Sequence, residues 1–329
     1  MMTLVLIGVL ILGWALGKNN LSNLFGTAVG TRMVNLETAE VLAALFVTVG
    51  AFISGSATTS SVLAISDFRT PIDIIVIFVS AIIVMDILSH MGIPASIVQT
   101  IVGAMVGWNL YHNFDTDWNL IKSVVGAWIW APIIAAGISF ILMKGVRRML
   151  IFHPISLIKR DLMLRILLIT SGIIAAYALG ANNIGTMTGP FLSVFDSFPK
   201  LTITATVCGA IGVGCLMADK KVIETVGRKL VPLSPTEGFV VMLGTAVSMI
   251  CFSMETIRYI LKFCHLPTFP LVPIPMSNVM VGAIVGISVA KGGYGLRYTV
   301  LGRIVISWFI VPVISGSLSF LLMMIGNQL

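Results

Sequence analysis

Apolar residues run in blocks of membrane-spanning length along the whole chain, separated by short polar joints, with neither strand alternation nor the narrow stripe of a surface helix. The first block covers residues 2–34 and is interrupted at 17–23, where Gly17, Lys18, Asn19, Asn20 and Asn23 fall. A second covers 37–54. After a polar stretch, 54–67, the segments 72–90 and 93–111 are joined only by Met91 and Gly92, which predicts a helical hairpin. A polar loop at 112–119 leads into a last span, 120–143. The order then repeats as a broken block at 163–194, a span at 201–217, a hairpin of 239–262 with 271–290, and a final span at 298–325. This order predicts an all-α polytopic membrane protein of two inverted repeats, each with a broken helix and a re-entrant helical hairpin.

The repeat is legible residue by residue. Ala15-Leu16-Gly17-Lys18-Asn19-Asn20 returns 163 positions later as Ala178-Leu179-Gly180-Ala181-Asn182-Asn183, and six of the thirteen positions from 15 to 27 are identical at 178–190. The hairpin tips also match: Pro94, Ser96, Gln99 and then Val102-Gly103 in one, Pro273, Ser277, Asn278 and then Val281-Gly282 in the other. With each hairpin entering and leaving on one side, each half crosses the membrane an odd number of times, which forces opposite orientations. The expected division is a first repeat at 1–143, a basic cytoplasmic linker at 144–162 and a second, inverted repeat at 163–329.

Composition narrows the function. At 57% hydrophobic and 10% charged residues, no water-soluble surface can be assembled from this chain. The net charge of +7 therefore does not point to nucleic acid; it follows the topology. With the linker inside, Arg32, Lys220, Lys221, Arg228, Lys229, Lys291, Arg297 and Arg303 also fall inside, leaving only Arg69, Lys122 and Lys200 outside, while Lys18, Arg258 and Lys262 fall within or at the tips of membrane segments. Both termini are thus expected outside the cell membrane. No Lys or Arg precedes the first apolar run, so residues 1–16 are read as part of the mature protein rather than as a signal peptide. The four cysteines lack a CxxC spacing, and neither a disulfide framework, a metal site nor a cofactor is expected. No nucleophile–base constellation suggests a membrane enzyme such as a lipid phosphatase.

Unwound backbone in a membrane needs partners, and free N–H groups at a restarted helix attract anions. Asn amides add donors without charge. Asn19, Asn20, Asn23, Asn182 and Asn183, with Ser96, Gln99, Ser277 and Asn278 from the hairpin tips, are therefore the expected substrate contacts, in a pocket suited to a small oxyanion. Lys18 either holds the anion or a carboxylate, or snorkels to a vestibule. Asp86 and Glu255 lie in the hairpin segments, where they either carry protons or pair with Lys18 and Arg258. His90 and His265 flank the tips as titrating groups or as plain hydrogen bonders.

The two Gly-Asn motifs, Gly17 to Thr27 and Gly180 to Pro190, resemble the paired motifs of the inorganic phosphate transporters of the PiT type. The tips around Pro94 and Pro273, and the segment Leu233-Ser234-Pro235-Thr236-Glu237-Gly238-Phe239, are similar to the family's hairpin segments. The resemblance implies inverted repeats, ion-coupled uptake of an inorganic oxyanion and a homodimer in the bilayer. The family's motif aspartates correspond to Asn20 and Asn183, its second-span glutamate to Val47, and Lys18 stands where it has Ala; its hairpin histidines are absent. In the family those acidic groups are associated with sodium, and amides make weaker cation ligands than carboxylates. The expectation is a symporter coupled to protons rather than sodium, with phosphate ahead of sulfate; a sulfate permease of the same fold and an anion channel are the alternatives.

Overall fold

The computed structural model describes residues 1–66, 68–90, 96–152, 156–195, 197–218, 233–293 and 296–326, without the side chains of 89 and 90. Expectations concerning Met91, Gly92, Pro94, the cations Lys220, Lys221, Arg228 and Lys229, and the side chain of His90 lie outside these residues. The described part is helical, with no strand. The first half holds α1 (Met2–Gly30), α2 (Leu36–Ser54), α3 (Ser56–Leu63), α4 (Pro71–His90), α5 (Ile97–Tyr111) and α6 (Trp118–Phe152). The second holds α7 (Leu157–Val194), α8 (Lys200–Leu216), α9 (Pro235–Cys251), α10 (Glu255–Phe263), α11 (Met276–Ala290) and α12 (Tyr298–Gly326).

Six of these helices, α1, α2, α4, α6, α7 and α12, are long and apolar enough to cross a membrane, and α9 with α10 passes the same test as a bent pair. Ile53, Ile141 and Val313 are 69%, 69% and 66% exposed, as expected of helices that turn a face to lipid. At 15, 17 and 15 residues, α5, α8 and α11 reach about 22–26 Å, short of a hydrocarbon core of about 30 Å. Helices extend into the expected linker at 144–162 from both sides. α6 runs to Phe152 and α7 starts at Leu157, so most of the basic residues there ride on the ends of two long helices.

The expected breaks at the Gly-Asn motifs do not occur. α1 and α7 run through Asn19-Asn20 and Asn182-Asn183 as continuous helices. The motif glycines have another cause: they let helices touch backbone to backbone. A methyl group on Gly17 would collide with the carbonyl of Ile211 in α8, and one on Gly180 with the carbonyl of Val47 in α2. The interruption in the second half falls elsewhere, at Phe252 to Met254, where α10 turns 81° away from α9.

These glycine contacts also establish the inversion. Gly13 meets Val207 and Ala210 while Gly17 meets Ile211 and Cys215, and Gly180 meets Val47 and Ala51 while Gly55, at the end of α2, meets Ile184, so residue numbers rise together along α1 with α8, and along α2 with α7; both pairs are parallel. The five-residue turns after α1 and α7 make α1 antiparallel to α2 and α7 antiparallel to α8. Hence α7 is antiparallel to α1. The outer helices repeat the logic, with Gly103 on Pro312 and Gly107 on Gly316 between α5 and α12, and Gly282 on Pro132 and Gly286 on Ala136 between α11 and α6. In every case a helix from one half packs on a helix from the other.

Both hairpins return to the side they start from. At the mouth of the second, Glu237 in the first turn of α9 meets Lys291, just beyond α11, at 2.8 Å. At the mouth of the first, the Asn109 amide of α5 donates to the Ile65 carbonyl at 2.8 Å, and the Phe68 and Trp108 rings lie 4.9 Å apart edge to face. Matching capping boxes start α4 and α9. Asp73 accepts from the Thr70 N–H at 2.9 Å, and Glu237 accepts from the Ser234 N–H at 2.9 Å. Thr70-Pro71 and Ser234-Pro235 are a further repeat in the sequence, with Pro71 and Pro235 both in the first helical turn.

Candidate functional site

Asn182 and Asn183 lie at the centre of the bundle, 0% and 1% exposed. Their amides have different environments. Asn182 donates to the Val272 carbonyl at 3.0 Å and to the Phe252 carbonyl at 3.4 Å, and its Oδ1 accepts from the Ile274 N–H at 2.7 Å. It thereby holds the extended arm, residues 271–275, that leads into α11. The Asn183 Oδ1, one helical step on, has no partner. Leaving a buried acceptor unpaired costs about 1–3 kcal/mol, so its vacancy needs a reason.

The arm delivers the N-terminus of α11 next to Asn182, since Pro275 at the cap follows Ile274 directly. The half-buried Ser277 hydroxyl donates to the Asn278 Oδ1 at 3.4 Å. The Asn278 Nδ2, on a side chain 1% exposed, is unpaired. The free N–H groups of the first helical turn add donors at the same end.

The first half contributes through α3, Ser56–Leu63, part of the polar stretch that the apolar pattern leaves without a role. The Thr58 hydroxyl donates to the Ala181 carbonyl at 2.9 Å, and the Ser61 hydroxyl to the Leu271 carbonyl at 2.6 Å. A hydroxyl-bearing helix of one repeat thus braces both the asparagine motif and the arm of the other. A run of Ser and Thr between apolar blocks was the available signal.

The motif in α1 is arranged differently. Asn19 is exposed, Asn20 donates to the Leu16 carbonyl at 3.0 Å, and Asn23 donates to the Asn20 Oδ1 at 3.1 Å. Lys18 is half-buried with its ammonium 4.7 Å from the Trp14 ring centroid, and it makes no ion pair among the described residues. Ser96 occupies the cap position of α5, half-buried. Gln99, 1% exposed, is turned to the Trp308 carbonyl of α12 at 3.2 Å and so ties α5 to its neighbour. Asp86 is exposed on α4, and Glu255 and His265 are exposed at the two ends of α10. The structure therefore ties Asn182, with Asn183 next to it on α7, to the arm that leads into Ser277 and Asn278, while Gln99 is tied to α12 and Asp86 and Glu255 are exposed.

The polar groups that tie the asparagine motif of α7 to the arm into α11 are neutral amides and hydroxyls, and the arm ends at a helix N-terminus. No group of three or more His, Cys, Asp or Glu side chains able to hold a metal occurs among the described residues. Such a site can bind an anion through donors while offering one acceptor. Placed between two inverted membrane repeats, it defines a membrane transport protein rather than an enzyme.

The sequence comparisons agree. The profile of the phosphate transporter family matches residues 16–257, and the chain belongs to that family. It is 24% identical to a Pyrococcus abyssi protein named as a phosphate permease, over 96% of this chain and 95% of that one. It is 27% identical to a sulfate permease of Bacillus subtilis, over 93% of this chain and 83% of the other. Among solved structures, a sodium-dependent phosphate transporter superposes with a TM-score of 0.80 at 19% identity, covering 100% of this chain and 99% of that one. The last likeness establishes the fold.

Proposed function

We propose that the protein is a symporter of the cell membrane that takes up inorganic phosphate, coupled to protons, with Asn183 and Asn278 contacting the ion. One observation carries this reading: a buried unpaired acceptor on Asn183, adjacent in α7 to the asparagine that holds the arm into α11, and a buried unpaired donor on Asn278 in the first turn of α11. Hydrogenphosphate presents both an O–H and anionic oxygens, so it can satisfy both groups; sulfate presents acceptors only. Asn20 and Asn183, where the family carries aspartate, favour protons over sodium, because amides are poor substitutes for carboxylates around a hard cation. The arrangement of basic helix ends at 144–165 supports a cytoplasmic junction between the repeats and extracytoplasmic termini. A homodimer is part of the same reading.

Sulfate is the second reading. It rests on the similarity to the Bacillus subtilis sulfate permease along nearly the whole chain. Uptake of radiolabelled phosphate and sulfate into proteoliposomes, under separately imposed proton and sodium gradients, tests both. Phosphate accumulation driven by protons alone is expected, and Asn183→Ala lowers it at least about tenfold. Sulfate accumulation without phosphate accumulation would replace the first reading by the second, and a strict sodium requirement would refute the coupling.

A further inference from the structure

α10 is unlike every other helix of the bundle. None of its residues is buried, and it lies at 81° to α9. Around its axis the side chains sort into three faces. Ile257 and Leu261 are half-buried against the protein. Tyr259, Ile260 and Phe263 stand 70%, 51% and 86% exposed. Glu255, Arg258 and Lys262 form the third, charged face.

The charges fix where this helix can lie. Neither Arg258 nor Lys262 forms an ion pair among the described residues, and an exposed unpaired cation is excluded from hydrocarbon by several kcal/mol, of order 3 or more. α9 leads through 17 residues, about 26 Å, from the Glu237–Lys291 contact at the hairpin mouth to the turn before α10, so α10 lies well away from that mouth. A helix leaving there nearly at right angles runs along the membrane surface, with its aromatic and aliphatic stripe toward the acyl chains and its cations at headgroup level. Beside it opens a cavity of about 650 Å³, lined by Arg258, Tyr259, Lys262, His265 and Thr268. These side chains supply hydrogen-bond donors and, with Glu255 included, a net positive charge.

We infer that α10 is an interfacial helix and that its Arg258–Lys262 cavity binds the phosphate of an anionic phospholipid headgroup. The apolar stripe directly beside the cations selects a lipid over a free ion, because only a lipid offers a phosphate and an acyl chain at one place. The segment that carries the cavity is flanked by Phe252 and Val272, both hydrogen-bonded to Asn182, so a bound lipid would steady the arm that supports the transport site.

The full chain, purified in detergent, is offered phosphatidylglycerol or phosphatidylcholine, and the lipid retained is counted by native mass spectrometry. Preferential retention of phosphatidylglycerol is expected, falling at least about fivefold in the Arg258→Gln, Lys262→Gln double variant. Exchange of the two cations, Arg258→Lys with Lys262→Arg, is expected to preserve it, and millimolar inorganic phosphate to leave it in place. Equal retention of the two lipids, or retention unchanged in the neutral variant, would overturn the inference. Displacement by inorganic phosphate would also overturn it, in favour of a free-ion site. If the neutral variant does not fold, a photoreactive benzophenone side chain at position 263 in the otherwise unchanged protein decides: cross-linking to phospholipid is expected, and cross-linking to a second copy of the chain is the contrary result.

Discussion

Asn182 and Asn183 are neighbours with opposite obligations, and substitution should separate them. Asn182→Ala removes two donated bonds and one accepted bond and strands backbone groups of Phe252, Val272 and Ile274. It is expected to cost about 2–4 kcal/mol, read as a fall in thermal unfolding temperature in detergent. Asn183→Ala removes a buried acceptor that has no partner, so it should not lower the unfolding temperature, while phosphate uptake falls as stated above. The glycines make a second pair of expectations. Gly180→Ala forces a methyl group into the Val47 carbonyl and should destabilise by about 1–3 kcal/mol. Gly126→Ala in α6 meets nothing within 4 Å and should stabilise by about 0.5–1 kcal/mol through helix propensity. In the sequence the asparagines stand out because they recur beside glycine. Their separate duties were hidden, since the partners of Asn182 lie 70 to 92 residues further along the chain.

At the level of elements, the hairpins depend on their mouths. A double-mutant cycle on Glu237→Ala and Lys291→Ala is expected to give a coupling of about 1 kcal/mol in thermal unfolding, modest because the side chains keep 10% and 25% exposure. Both hairpins and most spans were visible as apolar blocks bounded by polar joints. Three features were not. The continuity of α1 and α7 through their polar motifs was masked, because glycine that serves close packing looks the same in sequence as glycine that breaks a helix. The bracing role of α3 was masked because Thr58 and Ser61 find their partners in the other repeat. In the sequence α10 is indistinguishable from the end of the hairpin segment 239–262, since the turn at Phe252 to Met254 contains neither glycine nor proline.

For the whole molecule, the distribution of cations gives an orientation that a reporter can check. A reporter domain fused after α6 should be active on the cytoplasmic side, and one joined ahead of α1 on the opposite side; the reverse pattern would contradict the cation distribution. The inverted arrangement itself was readable from the repeated motifs, but the way the halves grip each other was not. α1 takes α8 as its partner, α2 takes α7, α5 takes α12 and α6 takes α11, always across the repeat boundary. During synthesis this exchange imposes a wait. The first half leaves the ribosome with Gly17, Gly50, Gly103 and Gly107 facing partners that have not yet been made, so it must persist in the bilayer as loosely associated helices until the second half arrives. A chain stopped at the α6–α7 junction should therefore be cleared by membrane proteases, and supplying the second half as a separate polypeptide should rescue it.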